Sequence, residues 1–457
     1  MSYAGSKKDD PVSDPNSPRN KENVKETDPI KREIHITQTQ TDEMRDSIQR
    51  GIRYVIKDIT KNHYKGLSPR DFTDIEETVF QSWLDTDVSP PRRYKKFTFI
   101  TYAPKAFRDI RRLFNIRPYD YIQSCSHSSL RKIPNPGASA SIFYFTNDDK
   151  FIMKSVQFTE FKVLQHLLPL YRQHMKKNPL SLLPKFSGLY GYKINEINIQ
   201  FISMNNLLPS NIKMHLKYDL KGSTFKRTAS TGETIKRMPT FKDLDFIKHF
   251  QDGLFLMPHT LSDILETINS DCEFLKSFNI MDYSLLVGVH KVDEDTSTYS
   301  QAALARWKRL MVDSIGLEDI LADTGHFPDE NCPTLKGSVP AKSESGEKLL
   351  LFLGIIDILQ EYRITKIIEH GFKTITQSKN ISVQDPDTYA PRLMNFLINF
   401  VFKPLLTNEE LGARSKQSFK AGSSKLLNDD DFDDTSCISC FKRKKSSRNT
   451  INKNDLN

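Results

Sequence analysis

The sequence predicts a mixed α/β (α+β) domain in which antiparallel strands are flanked by helices, and three observations carry that prediction. β-Branched and aromatic residues alternate on both sides of Asn147-Asp148-Asp149, the pattern of a strand, turn, strand unit. Directly after it, Phe161, Leu164, Leu167 and Leu168 repeat at the helical period. Far downstream, residues 285–290 and 349–356 are short, nearly continuous apolar runs of the kind that form buried strands.

Taken in chain order, residues 1–40 hold Lys, Asp, Glu, Asn, Pro and Ser with hardly an apolar side chain, so they are expected to be disordered. Helical patterning opens at about residue 42. Over residues 104–114 a helix would put Phe107, Ile110 and Phe114 on one face and Lys105, Arg108 and Arg112 on the other. The hairpin strands are expected at 140–146 and 150–156, followed by a helix from Glu160 that Pro169 stops. Further strands are expected at 194–204, 285–290 and 349–356. Between the last two, residues 292–347 are polar and read as an insertion, with one helix at 304–321. Residues 405–457 form a second disordered tail with an acidic block at Asp429 to Asp434, then Cys437, Cys440 and the run Lys442-Arg443-Lys444-Lys445.

A chain of 457 residues, 37% hydrophobic, can bury at least one large core. Its net charge of +9 suits nucleic acid or anionic lipid equally. The location of the charge is more informative: residues 92–117 carry nine Lys and Arg, Arg92, Arg93, Lys105, Arg108 and Arg112 among them, against the single acid Asp109. Near an anionic leaflet each such cation contributes about 1 kcal/mol, although the same face could simply be solvated. Nucleic-acid binding would need a recognisable base-reading or stacking module, and none is visible. The first residues have no apolar stretch, and no apolar run approaches the roughly 20 residues of a membrane span. The five cysteines show one isolated C-x-x-C, so they read as thiols of a reducing compartment, on the cytosolic side.

Three places carry chemistry. The small-residue string Asn135-Pro-Gly137-Ala-Ser139-Ala-Ser141 leads into the first hairpin strand, and Lys154 lies on the second. Backbone N–H groups of such a loop can approach phosphates that the lysine neutralises, while a plain turn beside an alternating polar position fits the same residues. Asp282 precedes an apolar strand and Asp357 follows another. Alone, each would pass for a strand-end cap. Together, downstream of a loop, strand and lysine, they fit phosphoryl transfer, one acid near the acceptor hydroxyl and the other on Mg²⁺.

The strings Thr101-Tyr-Ala-Pro-Lys-Ala-Phe107, Asn135-Pro-Gly-Ala-Ser139, Tyr218-Asp-Leu-Lys-Gly-Ser-Thr-Phe-Lys-Arg227 and Ile280-Met-Asp-Tyr-Ser-Leu-Leu-Val-Gly-Val-His290 closely resemble the phosphatidylinositol phosphate kinase family, especially its phosphatidylinositol 4-phosphate 5-kinase branch. The resemblance runs over residues 45–404. It implies a two-lobed kinase-like fold at 41–404, with an N-lobe at 41–204 and a C-lobe at 205–404, and a lipid kinase using ATP and Mg²⁺. It further implies that Lys154, Asp282 and Asp357 are catalytic, with Asp357 and Asp282 the Mg²⁺ carboxylates. Gly137, Ser139, Ser141, Lys154 with its helix partner Glu160, Met204, Asn205, Asn206, Asp219 and Lys221 are the residues implied around ATP. Ala140 stands where the family usually has Gly, and a Cβ there would push backbone away from phosphate.

Residues 364–375 resemble the family's activation loop, an amphipathic element that meets membrane and substrate and carries Lys366, Glu369 and Lys373. Glu369 matches the branch that uses 4-phosphate, which implies 5-kinase activity; Ile367 replaces the second of two adjacent lysines common there. The alternatives are a phosphatidylinositol 5-phosphate 4-kinase and a phosphoinositide-binding scaffold with decayed activity. The implied setting is peripheral, on the inner face of the plasma membrane, with an anionic lipid partner. A homodimer is compatible with the resemblance. Cys437 and Cys440 beside basic residues suit S-acylation as well as an incidental tail.

Overall fold

The computed structural model describes residues 38–61, 66–85, 92–133, 141–208, 212–292, 338–360 and 386–405. Helix α1 (Gln38–Lys61) and a short 3₁₀ turn (Pro69–Phe72) precede strands β1 (Ile75–Phe80), β2 (Trp83–Asp85), β3 (Arg92–Tyr94) and β4 (Phe97–Tyr102). Helices α2 (Pro104–Leu113) and α3 (Pro118–Ser126) lead to β5 (Arg131–Ile133), β6 (Phe143–Phe145), β7 (Phe151–Val156) and helix α4 (Phe158–Lys177). Then come β8 (Phe186–Ile194), β9 (Ile197–Asn205), β10 (Leu216–Leu220), the single turn α5 (Thr231–Thr234), α6 (Asp243–His249), β11 (Leu254–Leu256) and α7 (Pro258–Ser277). Strands β12 (Ser284–Lys291), β13 (Val339–Lys342) and β14 (Lys348–Ile356), helix α8 (Pro386–Phe396), a π-helical turn and β15 (Phe402–Pro404) follow.

Two sheets result. The first is antiparallel throughout, in the order β1-β4-β8-β9-β7-β6-β5; the second runs β10-β12-β14-β13-β11-β15, with only β11 and β15 parallel. The expected hairpin is present, pairing Phe143 with Lys154 and Phe145 with Ile152, although its first strand is shorter than the alternation suggests. Asp149 takes φ 59 in its turn, a conformation Asp tolerates.

Helix α4 corrects one expectation: it continues through Pro169 for two further turns. Proline removes one backbone hydrogen bond, but Leu167, Leu168, Tyr171 and Met175 are buried on the same side. Their burial, at about 1.5–3 kcal/mol per large apolar side chain, outweighs that loss. A second difference concerns residues 292–347, read as one polar insertion. Within them Val339–Lys342 is strand β13, inside the second sheet, because Val339 and Ala341 turn inward while alternate residues face outward. The helix expected at 304–321 and both tails lie outside the described residues.

One continuous apolar cluster joins the sheets, from Phe107, Leu164 and Leu189 on the first side to Leu275, Val287 and Leu353 on the second. A smaller cluster packs α1 and α3 against the outer face of the first sheet, with Ile48, Ile52, Phe99 and Tyr121 fully buried. No helix among the described residues is long and apolar enough to cross a membrane.

Helix α2 has its expected apolar face, with Phe107 and Ile110 buried. Its basic residues are divided in use. Lys105 pairs with Asp71 at 3.0 Å, Arg108 donates to the carbonyl of Ile59, and buried Arg111 donates to the carbonyl of Ser187. Arg93 and Arg112 are exposed, as are Lys95 and Lys96, whereas the Arg92 side chain lies outside the described residues. Part of the basic stretch is therefore internal scaffolding.

Candidate active site

Register brings the second sheet's chemistry to one edge. Leu220 pairs with Leu285, and Ser284 pairs with Ile356, so Lys221, Asp282 and Asp357 all follow or precede strands β10, β12 and β14 at the same end. Asp282 (φ 64) and Asp357 (φ 62) both adopt the left-handed backbone region. Such a conformation costs of order 1 kcal/mol in a non-Gly residue and recurs at functional sites. It turns each carboxylate out of its strand's alternation.

From the first sheet, Lys154 on β7 pairs with Glu160 on α4 at 3.0 Å, both largely buried. The helix begins there because Glu160 also accepts the N–H of Gln157, closing a capping box. At the edge of the second sheet, Lys221 donates to Asp282 twice, to Oδ1 at 2.6 Å and to the main-chain oxygen at 2.7 Å.

The two halves meet electrostatically at Asp357. Burial raises its carboxyl above the ordinary value; Lys154 opposes that shift, Asp219 adds to it, Lys221 opposes it, and Asp282 adds to it again. Lys154, Asp219, Lys221, Asp282 and Asp357 thus share one site. Among the described residues no group of three or more His, Cys, Asp or Glu side chains is gathered closely enough to hold a metal ion by itself, so the protein's share of any Mg²⁺ shell here is limited to Asp357 and Asp282. Mg²⁺ typically takes one or two protein carboxylates and completes its shell with water and phosphate oxygens.

The lining of the site includes residues the motifs alone did not single out. Asp219 receives Arg227, through its carboxylate at 2.7 Å and through its carbonyl, and Arg227 also holds buried Asp243 at 2.6 Å. Asp243 in turn accepts the N–H groups of Lys221, Gly222 and Ser223. This closes the Lys221 turn around one carboxylate. Helix α8 backs it: Arg392 donates to the carbonyl of Lys221, and the Tyr389 hydroxyl donates to the carbonyl of Tyr283. The sequence signal was the arginine six residues after Lys221 within the quoted string; Asp243, Tyr389 and Arg392 had none, since each acts across a long chain separation.

Gly222 is required where it stands. Its φ is +67, and a Cβ would meet the Leu393 Cα at 2.7 Å and the Arg392 carbonyl oxygen at 2.9 Å. Gly222→Ala should therefore lower stability by at least ~1–2 kcal/mol, from the backbone conformation alone, and displace Lys221 as well. Urea unfolding of purified variant and parent measures the first effect, and the rate of the lipid phosphorylation that the resemblance implies measures the second.

The remaining implied residues are distributed as follows. Met204 and Asn205 end β9. The Asn205 side chain accepts the Lys185 N–H, while Asn206 donates to the carbonyls of Lys150 and Asp149, binding the strand end to the β6–β7 turn. Leu207 and Leu208 pack on Gly354 and Gly288, where a Cβ would lie 2.3 and 2.7 Å from their methyl groups. Ser141 lies two residues before β6, but Gly137, Ser139 and Ala140 lie outside the described residues, as do Lys366, Ile367, Glu369, Lys373, Cys437 and Cys440.

Comparison with known proteins identifies the family. A family model described as phosphatidylinositol-4-phosphate 5-kinase matches residues 124–400. Human phosphatidylinositol 4-phosphate 5-kinase type-1 beta is 42% identical over 377 residues, covering 80% of this chain and 70% of its own length. The mouse type-1 alpha protein is 41% identical over 391 residues, covering 83% and 71%. A Drosophila melanogaster relative, type-1 sktl, is 39% identical over 429 residues, covering 81% and 54%. With its two joined antiparallel-rich sheets, its shared lysine and carboxylate site, and a match of this extent, the chain belongs to the phosphatidylinositol-4-phosphate 5-kinase family.

Proposed function

We propose that the chain is an ATP-dependent lipid kinase that phosphorylates phosphatidylinositol 4-phosphate at the 5-position, giving phosphatidylinositol 4,5-bisphosphate. Membership of a family whose named relatives carry this activity supports the reading. The observation that carries it is the gathering of Lys154, Lys221 and Asp282 around Asp357. Lys154, fixed by Glu160, would neutralise phosphate oxygens of ATP. Asp282, held by Lys221 through both its carboxylate and its main chain, would orient the inositol 5-hydroxyl and take its proton. Asp357, with Asp282, would hold Mg²⁺, which neutralises charge on the transferring phosphoryl group. Lys221 is positioned to meet charge that spreads during transfer, so the residues act by placement and electrostatics.

The lipid partner places the work at an anionic membrane surface, which we assign to the inner face of the plasma membrane with the protein bound peripherally. Exposed Arg93 and Arg112 would meet that surface. The N-lobe is assigned to residues 41–204 and the C-lobe to 205–404. The reading is tested with ATP and vesicles carrying each monophosphorylated inositide, resolving products by ring position. A bisphosphate formed from the 4-phosphate lipid supports it; phosphorylation of only the 5-phosphate lipid would establish the 4-kinase alternative, and no product from any lipid the scaffold.

Substrate choice is assigned to Glu369. Glu369→Ala is expected to lower the ratio of 4-phosphate to 5-phosphate lipid turnover severalfold on mixed vesicles. An unchanged ratio removes Glu369 from that role.

A further inference from the structure

Among the described residues, strand β14 pairs with β12 through Ile356 on one side and with β13 from Lys348 to Leu351 on the other. The buried N–H of Ile355 lies past that second pairing and still requires an acceptor. It donates at 2.8 Å to the carbonyl of Leu182, in the turn between α4 and β8. Ile355 lies two residues before Asp357.

Leu182 is held from its other side. Its N–H donates at 2.7 Å to Oδ2 of Asp271 on α7, a residue with no solvent exposure. Oδ1 of the same carboxylate accepts the Ser181 hydroxyl at 2.7 Å and contacts His174 Nε2 at 2.6 Å. His174 stacks on Phe274 with ring centroids 4.5 Å apart, and its other nitrogen, Nδ1, lies 3.2 Å from the Asn178 amide. One buried carboxylate thereby binds three elements together: α4, whose first turn carries Glu160; the Ser181–Leu182 turn, which receives the end of β14; and α7, whose C-terminal end runs into Ile280-Met281-Asp282.

We propose that Asp271, with His174 and Ser181, is the positioning junction of the active site. Through Leu182 it sets where Asp357 sits relative to Lys154 and Glu160. None of the three touches a reacting atom. Their effect is transmitted through a main-chain carbonyl that fixes the last turn of strand before the metal-binding acid. A displacement of about 1 Å at a catalytic group can cost ~100-fold in rate, so a modest shift here has kinetic consequences. The inference rests on the proposed role of Asp357 in holding Mg²⁺.

The test uses the full chain with vesicles containing phosphatidylinositol 4-phosphate. Asp271→Asn, His174→Gln and Ser181→Ala are compared with the parent for kcat, KM of lipid, melting temperature and the Mg²⁺ concentration giving half-maximal rate. Asp271→Asn is expected to lower kcat about tenfold and raise the Mg²⁺ requirement about threefold, leaving the lipid KM within about twofold. The two milder variants should shift the same quantities in the same direction by smaller factors, and they keep the test open if Asp271→Asn does not fold. A purely structural role would lower melting temperature and active fraction without moving the Mg²⁺ requirement of the folded enzyme. That outcome in the folded variants overturns the proposal. If the parent itself forms no lipid product, the function reading has failed, and the junction is then judged by Mg²⁺-dependent nucleotide binding in the same variants.

Discussion

Asp357→Asn is expected to lower phosphorylation of phosphatidylinositol 4-phosphate by about a thousandfold or more, and to leave the protein as stable as the parent or more so. The rate loss follows from removing charge at the point where phosphoryl transfer depends most on electrostatics; loss of even a single preorganised group of that kind costs ~10²–10³. The stability half has a definite sign. Burial is the largest influence on the Asp357 carboxyl and raises it, with Asp219 and Asp282 adding to the shift. A folded-state value above the unfolded one means that the ionised group opposes folding, and that stability is lost as pH rises through the raised value. Asparagine carries no charge to desolvate, and it tolerates the φ of 62 that Asp357 adopts. In metal-free buffer the variant should therefore melt no lower than the parent near neutral pH. The difference should shrink as acid protonates the parent's carboxyl. Thermal melts at several pH values with chelator, beside a lipid kinase assay, check both halves. A variant that retains turnover removes Asp357 from the catalytic set, and one that melts far below the parent shows that its charge supports the fold.

The second large effect is expected at Asp282→Asn, with a loss of kcat of about 10²–10⁴ and little change in the KM of either substrate. The substitution suits the geometry. Asn keeps a carbonyl oxygen for Lys221 Nζ, now 2.6 Å from Oδ1, and the main-chain oxygen continues to accept from the same ammonium group. It also tolerates the φ of 64. What disappears is the negative charge and the basicity that would orient and deprotonate the inositol hydroxyl. Steady-state kinetics separate this from a binding defect: a rise in KM with kcat intact would mean that Asp282 serves substrate binding alone.

The two acids could be read from their place beside apolar strands, because a carboxylate is unfavourable in a buried strand and stays at its end only with a partner. Their partners could not be read in the same way. Lys221 lies 61 positions from Asp282, and Asp243 reaches three successive N–H groups about 20 residues earlier in the chain. Neither separation follows a local period. Pro169 illustrates the opposite failure: the local rule ends the helix, and packing of Tyr171 and Met175 continues it. The polar stretch at 292–347 misled for a related reason, since the four-residue strand Val339–Lys342 is too short for alternation to stand out against Ser, Lys and Glu neighbours.

By itself the sequence determined the mixed α/β class, the hairpin bearing Lys154, the strands that place Asp282 and Asp357 at their ends, and the family the chain belongs to. Those features depend on residues close together in the chain, where side-chain alternation and helical period act directly. The tertiary structure alone decided that Lys221 holds Asp282 through both its carboxylate and its main chain, that Arg111 is buried in the basic stretch while Arg112 is not, and that Asp271 links α4, α7 and the end of β14. The physical reason is that a buried charge or N–H must find a partner wherever folding brings one within about 3 Å, and that requirement does not depend on distance along the chain.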